Sequence, residues 1–288
     1  MKKLKQLKNY LYLLPALLFL FLFTVYPIFK SVYLSFFETD SIFSFMDFVG
    51  LKNYRDMFED KTFWLVLKNT FVFAFLQVIL STLLGFLFAL LANNKDVKTK
   101  GLLRVAVFYP YICPWSVVSM VWMYLLHPTR GMINAIFNTR IDWLNNYQLT
   151  LFVLILITVW KTVGFNLLLF LSGMQGIPKE LYEAYSLEST SSFNAVRYIT
   201  IPLLGPTTFV SVLLSIVGAF QSVDIIYIIT QGRPGDSTNT LVYYIYQKGI
   251  ASWNVGYASA LSTLLVAILL IFTAVYIKYG EKLVKYDE

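Results

Sequence analysis

The sequence predicts an all-α polytopic membrane protein with six transmembrane helices. Three observations predict it. First, 58% of the 288 residues are hydrophobic and only 14% are charged, whereas soluble chains run near half apolar and a quarter charged. Second, the apolar excess is gathered into six runs of about twenty residues or more. That length crosses a hydrocarbon core about 30 Å thick at about 1.5 Å per residue. Third, Lys and Arg stand at the ends of those runs and divide unevenly between the two sides. In lipid every backbone N–H and C=O needs an internal partner, which leaves helices or a closed barrel. The runs are too long and too evenly apolar for barrel strands.

The first run, 11–34, begins LYLLPALLFLFLFTVYPIF. A cleaved signal peptide is the competing reading, but the run is too long and no small-x-small cleavage site follows it, so it is read as an uncleaved first span. The second run is 69–92, NTFVFAFLQVILSTLLGFLFALLA. The third, about 104–126, passes through VFYPYICPWSVVSMVWMYLL, where Pro114 is expected to loosen the span and open a cavity. The fourth covers 150–174, the fifth 206–229 and the sixth 257–278. No internal repeat or low-complexity linker divides the chain, so residues 1–288 read as one transmembrane domain.

Orientation follows from charge. Thirteen Lys/Arg lie on one side: Lys2, Lys3, Lys5 and Lys8, the 93–104 loop, Lys179 and Arg197, and the tail from Lys278. Eight lie on the other: Lys52, Arg55, Lys61, Lys68, Arg130, Arg140, Arg233 and Lys248. Basic residues favour the cytoplasm, so both termini are expected inside. The net charge of +7 does not point to nucleic acid, because the basic residues flank apolar runs and form no basic domain. Cys113 is the one cysteine, which excludes an intrachain disulfide and argues against a metal cluster. No phosphate-binding G-x-x-x-x-G-K-[ST] loop and no hydrolase motif is present, so the chain is expected to be neither an ATPase nor another enzyme.

Between the fourth and fifth runs lies IPKELYEAYSLESTSSFNAVRYITIPLLGP, residues 177–206. A plain turn needs only a few residues. This stretch reads as two short helices. Pro178 suits a first helical position. Leu181, Ala184, Tyr185 and Leu187 form an apolar stripe, with Glu180, Glu183 and Glu188 polar. Ser191 or Ser192 can cap a second helix carrying Phe193, Val196 and Ile199, which Pro202 ends. From the pattern alone it is either an interfacial helix pair resting on headgroups or a docking element for a partner.

The stretch resembles the EAA motif of ATP-binding-cassette importer permeases. Glu183 and Ala184 fit its head, and Ile199 to Pro202 approximate its I-x-LP end. It departs from the motif at Tyr185, Glu188, Ser189 and Thr190. Ser189 stands where glycine is usual and tolerates positive φ poorly. FVGLKNYRDMFEDKTFWLVLKNT at 48–70, WKTVGFNLLLFLSGMQGIP at 160–178, and the run from Phe220 through ITQGRPGDSTNTLVYYIYQ to GYASALS are similar to sugar-importer permeases of the maltose and glycerol-3-phosphate type. The wording matches the first of the two permeases such systems use.

The resemblance implies a type I importer permease fold in a bacterial cell membrane. It implies that the loop at about 177–205 docks in a cleft of a cytoplasmic ATPase. Coupling residues would be Leu181, Glu183, Ala184, Leu187 and Ser189, with Glu183 capping or salt-bridging and the leucines supplying contact area. The implied partners are a second, homologous permease, two ATPase subunits, an external sugar-binding protein and membrane lipid. ATP and Mg would be bound by the partner ATPase, and no cofactor by this chain.

The implied sugar site lies midway across the bilayer. Tyr111, Trp115, Ser215 and Ser222 fall where the family places site residues. Asn166, Gln221 and Asp224 add amide and carboxylate groups. The plainer reading is that these aromatics and hydroxyls pack between helices. Lys161 and Asp224 stand inside spans, where a central charge costs about 2.5–3.5 kcal/mol. A structural ion pair between them is expected ahead of direct sugar contact. The alternative function is an ion-coupled secondary carrier, which often shows inverted repeats, and the sequence shows none.

Overall fold

The computed structural model describes residues 12–39, 46–94, 97–188 and 191–280. Four helices are each long and apolar enough to cross a membrane: α1, Tyr12–Leu34; α3, Lys61–Asn93; α7, Thr150–Gln175; and α13, Val255–Gly280. Two bent helix pairs supply the other spans. The third run divides into α4, Lys100–Ile112, and α5, Trp115–Leu125, bent by 103°. The pair α9, Ser192–Leu203, and α10, Gly205–Phe220, is bent by 68°. Helix α10 also stops short of the expected span end at 229. Residues 221–223 interrupt it before a short helix, α11, at 224–230.

The chain forms two compact units, Met1–Trp64 with Tyr244–Ile268, and Leu65–Tyr243 with Leu269–Glu288. In the first unit a ribbon pairs β1, Phe37–Thr39, antiparallel to β2, Met46–Phe48. It lies outside the six expected spans. Helix α2, Lys52–Glu59, is tied to the end of α1 by Asn53, whose Nδ2 donates to the Ser35 and Phe37 carbonyls at 2.9 Å each. At the end of α2, Asp60 gathers four donors or cations. Its Oδ1 accepts from the Thr62 N–H at 2.8 Å, and its Oδ2 accepts from the hydroxyls of Tyr244 at 2.5 Å and Tyr257 at 3.0 Å. The Lys248 ammonium lies over both tyrosine rings, 5.1 and 5.7 Å from their centroids. Burial alone would raise the Asp60 pKa. The Tyr244, Thr62 and Tyr257 hydrogen bonds and the Lys248 charge outweigh it and hold the carboxyl below its ordinary range. Burial and the same hydrogen bond push the Tyr244 hydroxyl the other way, far upward.

In the second unit α7 is the central element, with most of its residues buried. Two glycines explain the close neighbours. A Cβ on Gly164 would stand 2.5 Å from the Val107 carbonyl of α4, and one on Gly85 of α3 would stand 2.5 Å from Asn166 Cβ. Leu167, Phe170, Leu171 and Met174 of α7 join Ala89, Ala92, Ile177 and Leu204 in one apolar core. Between helices in lipid such contacts act through close packing and not through removal from water.

Two loops of this unit are organised by asparagines. Asn134, in α6 (Met132–Phe137), donates to the Pro128 and Ile141 carbonyls and accepts from Thr139 and Trp143. Asn69 of α3 donates to the Asp236 and Asn239 carbonyls, and the N–H of Leu241, which opens helix α12 at 241–251, donates to Thr70 Oγ1 at 2.8 Å. These bonds pin the segment QGRPGDSTN, where Gln231, Gly232, Gly235 and Asp236 all have positive φ.

Candidate functional site

The first site forms where α4 and α5 part. Cys113 precedes a proline and is extended, at φ −63° and ψ 135°, as steric conflict with the proline ring requires. The break leaves the last carbonyls of α4 without helical partners. Lys161 of α7 supplies them. Its ammonium donates to the carbonyls of Pro110 at 3.1 Å, Tyr111 at 3.0 Å and Cys113 at 2.6 Å. It also lies 5.0 Å from the Trp115 ring centroid and 5.8 Å from that of Tyr111. The side chain is only 5% exposed. The expected Lys161–Asp224 ion pair is therefore corrected. Among the described residues the only ion pairs are Lys52–Glu38 and Arg55–Glu59. The lysine is held instead by backbone dipoles, which a side-chain inventory of the sequence does not reveal.

A cavity of about 450 Å³ opens beside this break. Tyr111, Trp115 and Phe165 form aromatic wall, and the Tyr111 and Phe165 rings are stacked with centroids 5.3 Å apart. Gln77, Thr162, Asn166, Ser215, Gln221, Ser222 and Asp224 form polar wall. All seven substrate candidates named from the sequence thus meet at one cavity.

They are not equally free. Asn166 is 1% exposed, and its Oδ1 accepts from Ser211 Oγ at 2.8 Å. Ser215 Oγ lies 3.3 Å from its Nδ2 and 3.4 Å from its Oδ1. These two residues chiefly tie α7 to α10. Ser222 Oγ, by contrast, is buried with no protein partner. So is Gln77 Oε1, whose own Nε2 donates to Thr162 Oγ1 at 3.2 Å. Gln77 was not among the residues expected to line the site. A lone glutamine amid FVFAFLQVIL was the available signal.

The second site is the segment after α7. Helix α8 runs Lys179–Glu188, so Pro178 stands just before the helix and not at its first position. Ser191 is the N-cap of the next helix, accepting from the Asn194 N–H at 3.4 Å. That helix continues through Pro202 to Leu203. Its turns widen over Val196–Thr200, so the proline does not end it as expected. Tyr182, also unforeseen, fastens the pair: its hydroxyl lies 2.9 Å from Thr200 Oγ1. Tyr182 and Ile199 pack on the apolar core.

The rest of the apolar stripe faces outward. Leu187 is 89% exposed and Phe193 73%, and Leu181, Glu183 and Ala184 are exposed as well. Leu181, Ala184, Tyr185, Tyr198 and Pro202 line a groove of about 440 Å³. Ser189 lies outside the described residues, as does the side chain of Glu188. Among the described residues, no group of His, Cys, Asp and Glu could hold a metal ion.

Residues 81–282 match the family described as the binding-protein-dependent transport system inner membrane component. The chain is 34% identical over 280 residues to the trehalose/maltose transport system permease protein MalF of Thermococcus litoralis, with 95% of this chain and 93% of that protein covered. It is 34% identical over 274 residues to the sulfoquinovosyl glycerol transport system permease protein SmoG of Agrobacterium fabrum, covering 93% and 88%. A chain of a bacterial ABC transporter that imports the acidic polysaccharide alginate superposes with a TM-score of 0.86 at 19% identity, over 99% of this chain and 100% of that one. The six-span helical architecture is the type I fold of ABC importer permeases. The chain belongs to the family of binding-protein-dependent transport system inner membrane components, as a multi-pass permease.

Proposed function

We propose that the chain forms half of the translocation pathway of an ATP-driven saccharide importer. The cavity carries this reading: stacked aromatic faces beside unpartnered amide and hydroxyl groups suit a sugar's C–H faces and hydroxyls. The permeases reported above for trehalose/maltose and sulfoquinovosyl glycerol support the saccharide class. ATP hydrolysis belongs to two partner ATPase subunits, which engage the exposed face of Leu181, Glu183, Ala184, Leu187 and the adjoining Ser189. A second, similar permease completes the pathway, and an external binding protein delivers the sugar. Both termini lie in the cytoplasm of a bacterial cell, in keeping with the thirteen-to-eight division of Lys and Arg.

Reconstitution tests the proposal. Vesicles holding the complete complex should import sugar only with ATP inside and binding protein outside. Tyr111→Ala should reduce uptake at least about tenfold while basal ATP hydrolysis survives. Sugar transport by this chain alone would refute it.

A further inference from the structure

The cavity lining carries a single charged side chain. Asp224 contributes a carboxylate, and no lysine or arginine is among the residues lining the cavity. Lys161 packs against two of the lining rings. An ammonium has three N–H donors, and the carbonyls of Pro110, Tyr111 and Cys113 take all three. An anionic ligand in the cavity therefore meets the Asp224 carboxylate and finds no free donor on Lys161.

Resting on the reading of this cavity as the saccharide site, we infer that Asp224 selects saccharides without an anionic group, neutral or amino-bearing, over uronates, sulfonates and phosphates. A neutral sugar finds in Asp224 two strong acceptors for its hydroxyls. An amino sugar gains the carboxylate and the ring faces together. A uronate brought within about 6 Å of Asp224 is weakened about threefold if the pair is fully hydrated. The factor is about a hundredfold at an effective dielectric constant near 20. Asp224 is exposed on this chain, and the Lys161 ammonium behind the Tyr111 and Trp115 rings offsets part of the repulsion, so a factor of about ten, well below the upper limit, is expected. Family membership leaves this open, since the fold also serves an importer of an acidic polysaccharide.

The test uses the purified complex in detergent without its binding protein, and calorimetric titration with disaccharides in matched neutral, 2-amino and uronate forms. The parent should prefer the neutral and amino forms about tenfold over the uronate. Asp224→Asn should bring that ratio to within about threefold, and Asp224→Lys should invert it; thermal melting confirms that both variants are folded. Equal binding of all three forms by the parent, or a tenfold preference that survives in Asp224→Asn, overturns charge selection and leaves the cavity as the sugar site. If no disaccharide binds in any form, and Tyr111→Ala imports like the parent, the saccharide reading of the cavity falls and this inference with it.

Discussion

Lys161→Met isolates the role of the lysine. Methionine keeps an unbranched, flexible stem of similar reach and removes all three donors. The carbonyls of Pro110, Tyr111 and Cys113 then converge on one another without a partner. The three bonds are not alike. The bond to Pro110 is fully buried and the other two are partly buried beside the cavity. Water can replace the second and third but not the first. A hydrogen bond to a charged group contributes about 1.5–3 kcal/mol, and interhelical bonds in membranes average about 0.6 kcal/mol because other partners are found. One bond at the higher figure and two at the lower give about 3–4 kcal/mol. For a chain of this size that is a fall of roughly 6–16 °C in thermal midpoint in detergent, at about 2–4 °C per kcal/mol. Uptake should fall too, because the bend that places Tyr111 and Trp115 is released. Lys161→Arg, which retains donors, should recover part of both. If Lys161→Met melts within about 1 °C of the parent and imports at the parental rate, the lysine does not hold the break.

Glu183→Ala should weaken ATPase docking about tenfold or more, if the carboxylate makes one charge-assisted bond of about 1.5–3 kcal/mol. Stimulated ATP hydrolysis and uptake should fall together at matched expression, and normal values for both would make Glu183 part of a solvated face. Asp60→Asn and Tyr244→Phe should each lower the thermal midpoint at pH 7. The Asp60 pKa is depressed in the fold, so its stabilisation is full above the unfolded carboxylate value of about 3.9 and is lost as pH falls through the folded value. The gap between parent and Asp60→Asn should therefore close below about pH 4, and a gap constant down to pH 2 would exclude the linkage. In a Cys113→Ser background, Lys52→Cys and Lys282→Cys should label from opposite faces of the membrane; labelling of both from one face would overturn the orientation.

The spans were legible because hydrocarbon thickness sets a length that apolar runs must meet, and α1, α3, α7 and α13 are such runs unbroken. The breaks were half legible. Pro114 marked the one in the third span, but nothing in FQSVD marks the one at 221–223, where no proline interrupts the helix. Lys161 stood out as a charge within a span, yet its partners are backbone carbonyls that become acceptors only once α4 ends. Asp224 was the sole side chain of opposite sign within reach by counting, so the pair was a reasonable and incorrect inference. The exposed stripe of Leu181, Ala184 and Leu187 follows from helical spacing. Tyr182, by contrast, occupies a position between stripe and polar face, and its bond to Thr200 depends on a fold-back that spacing does not specify.

The two breaks beside the cavity, at 113–114 and 221–223, also explain which polar residues are available to a ligand. In lipid a continuous helix satisfies its own backbone, and broken backbone is tolerated only where protein buries it or a cavity receives it. Five of the seven cavity candidates flank a break: Tyr111 and Trp115 beside Cys113–Pro114, and Gln221, Ser222 and Asp224 at or next to residues 221–223. The other two, Asn166 and Ser215, lie inside unbroken helices. Those two are the ones engaged with each other across α7 and α10. A polar side chain within a continuous span can be matched by one on the facing helix, because two straight helices run alongside over several turns. At a break the chain turns away from its neighbour, and a polar group it carries there, as Ser222 Oγ does, is left without a protein partner. Such groups are left for water or a solute. The breaks thus do more than widen a passage: together with Gln77 of α3 they supply the polar groups left to bind what passes between the helices.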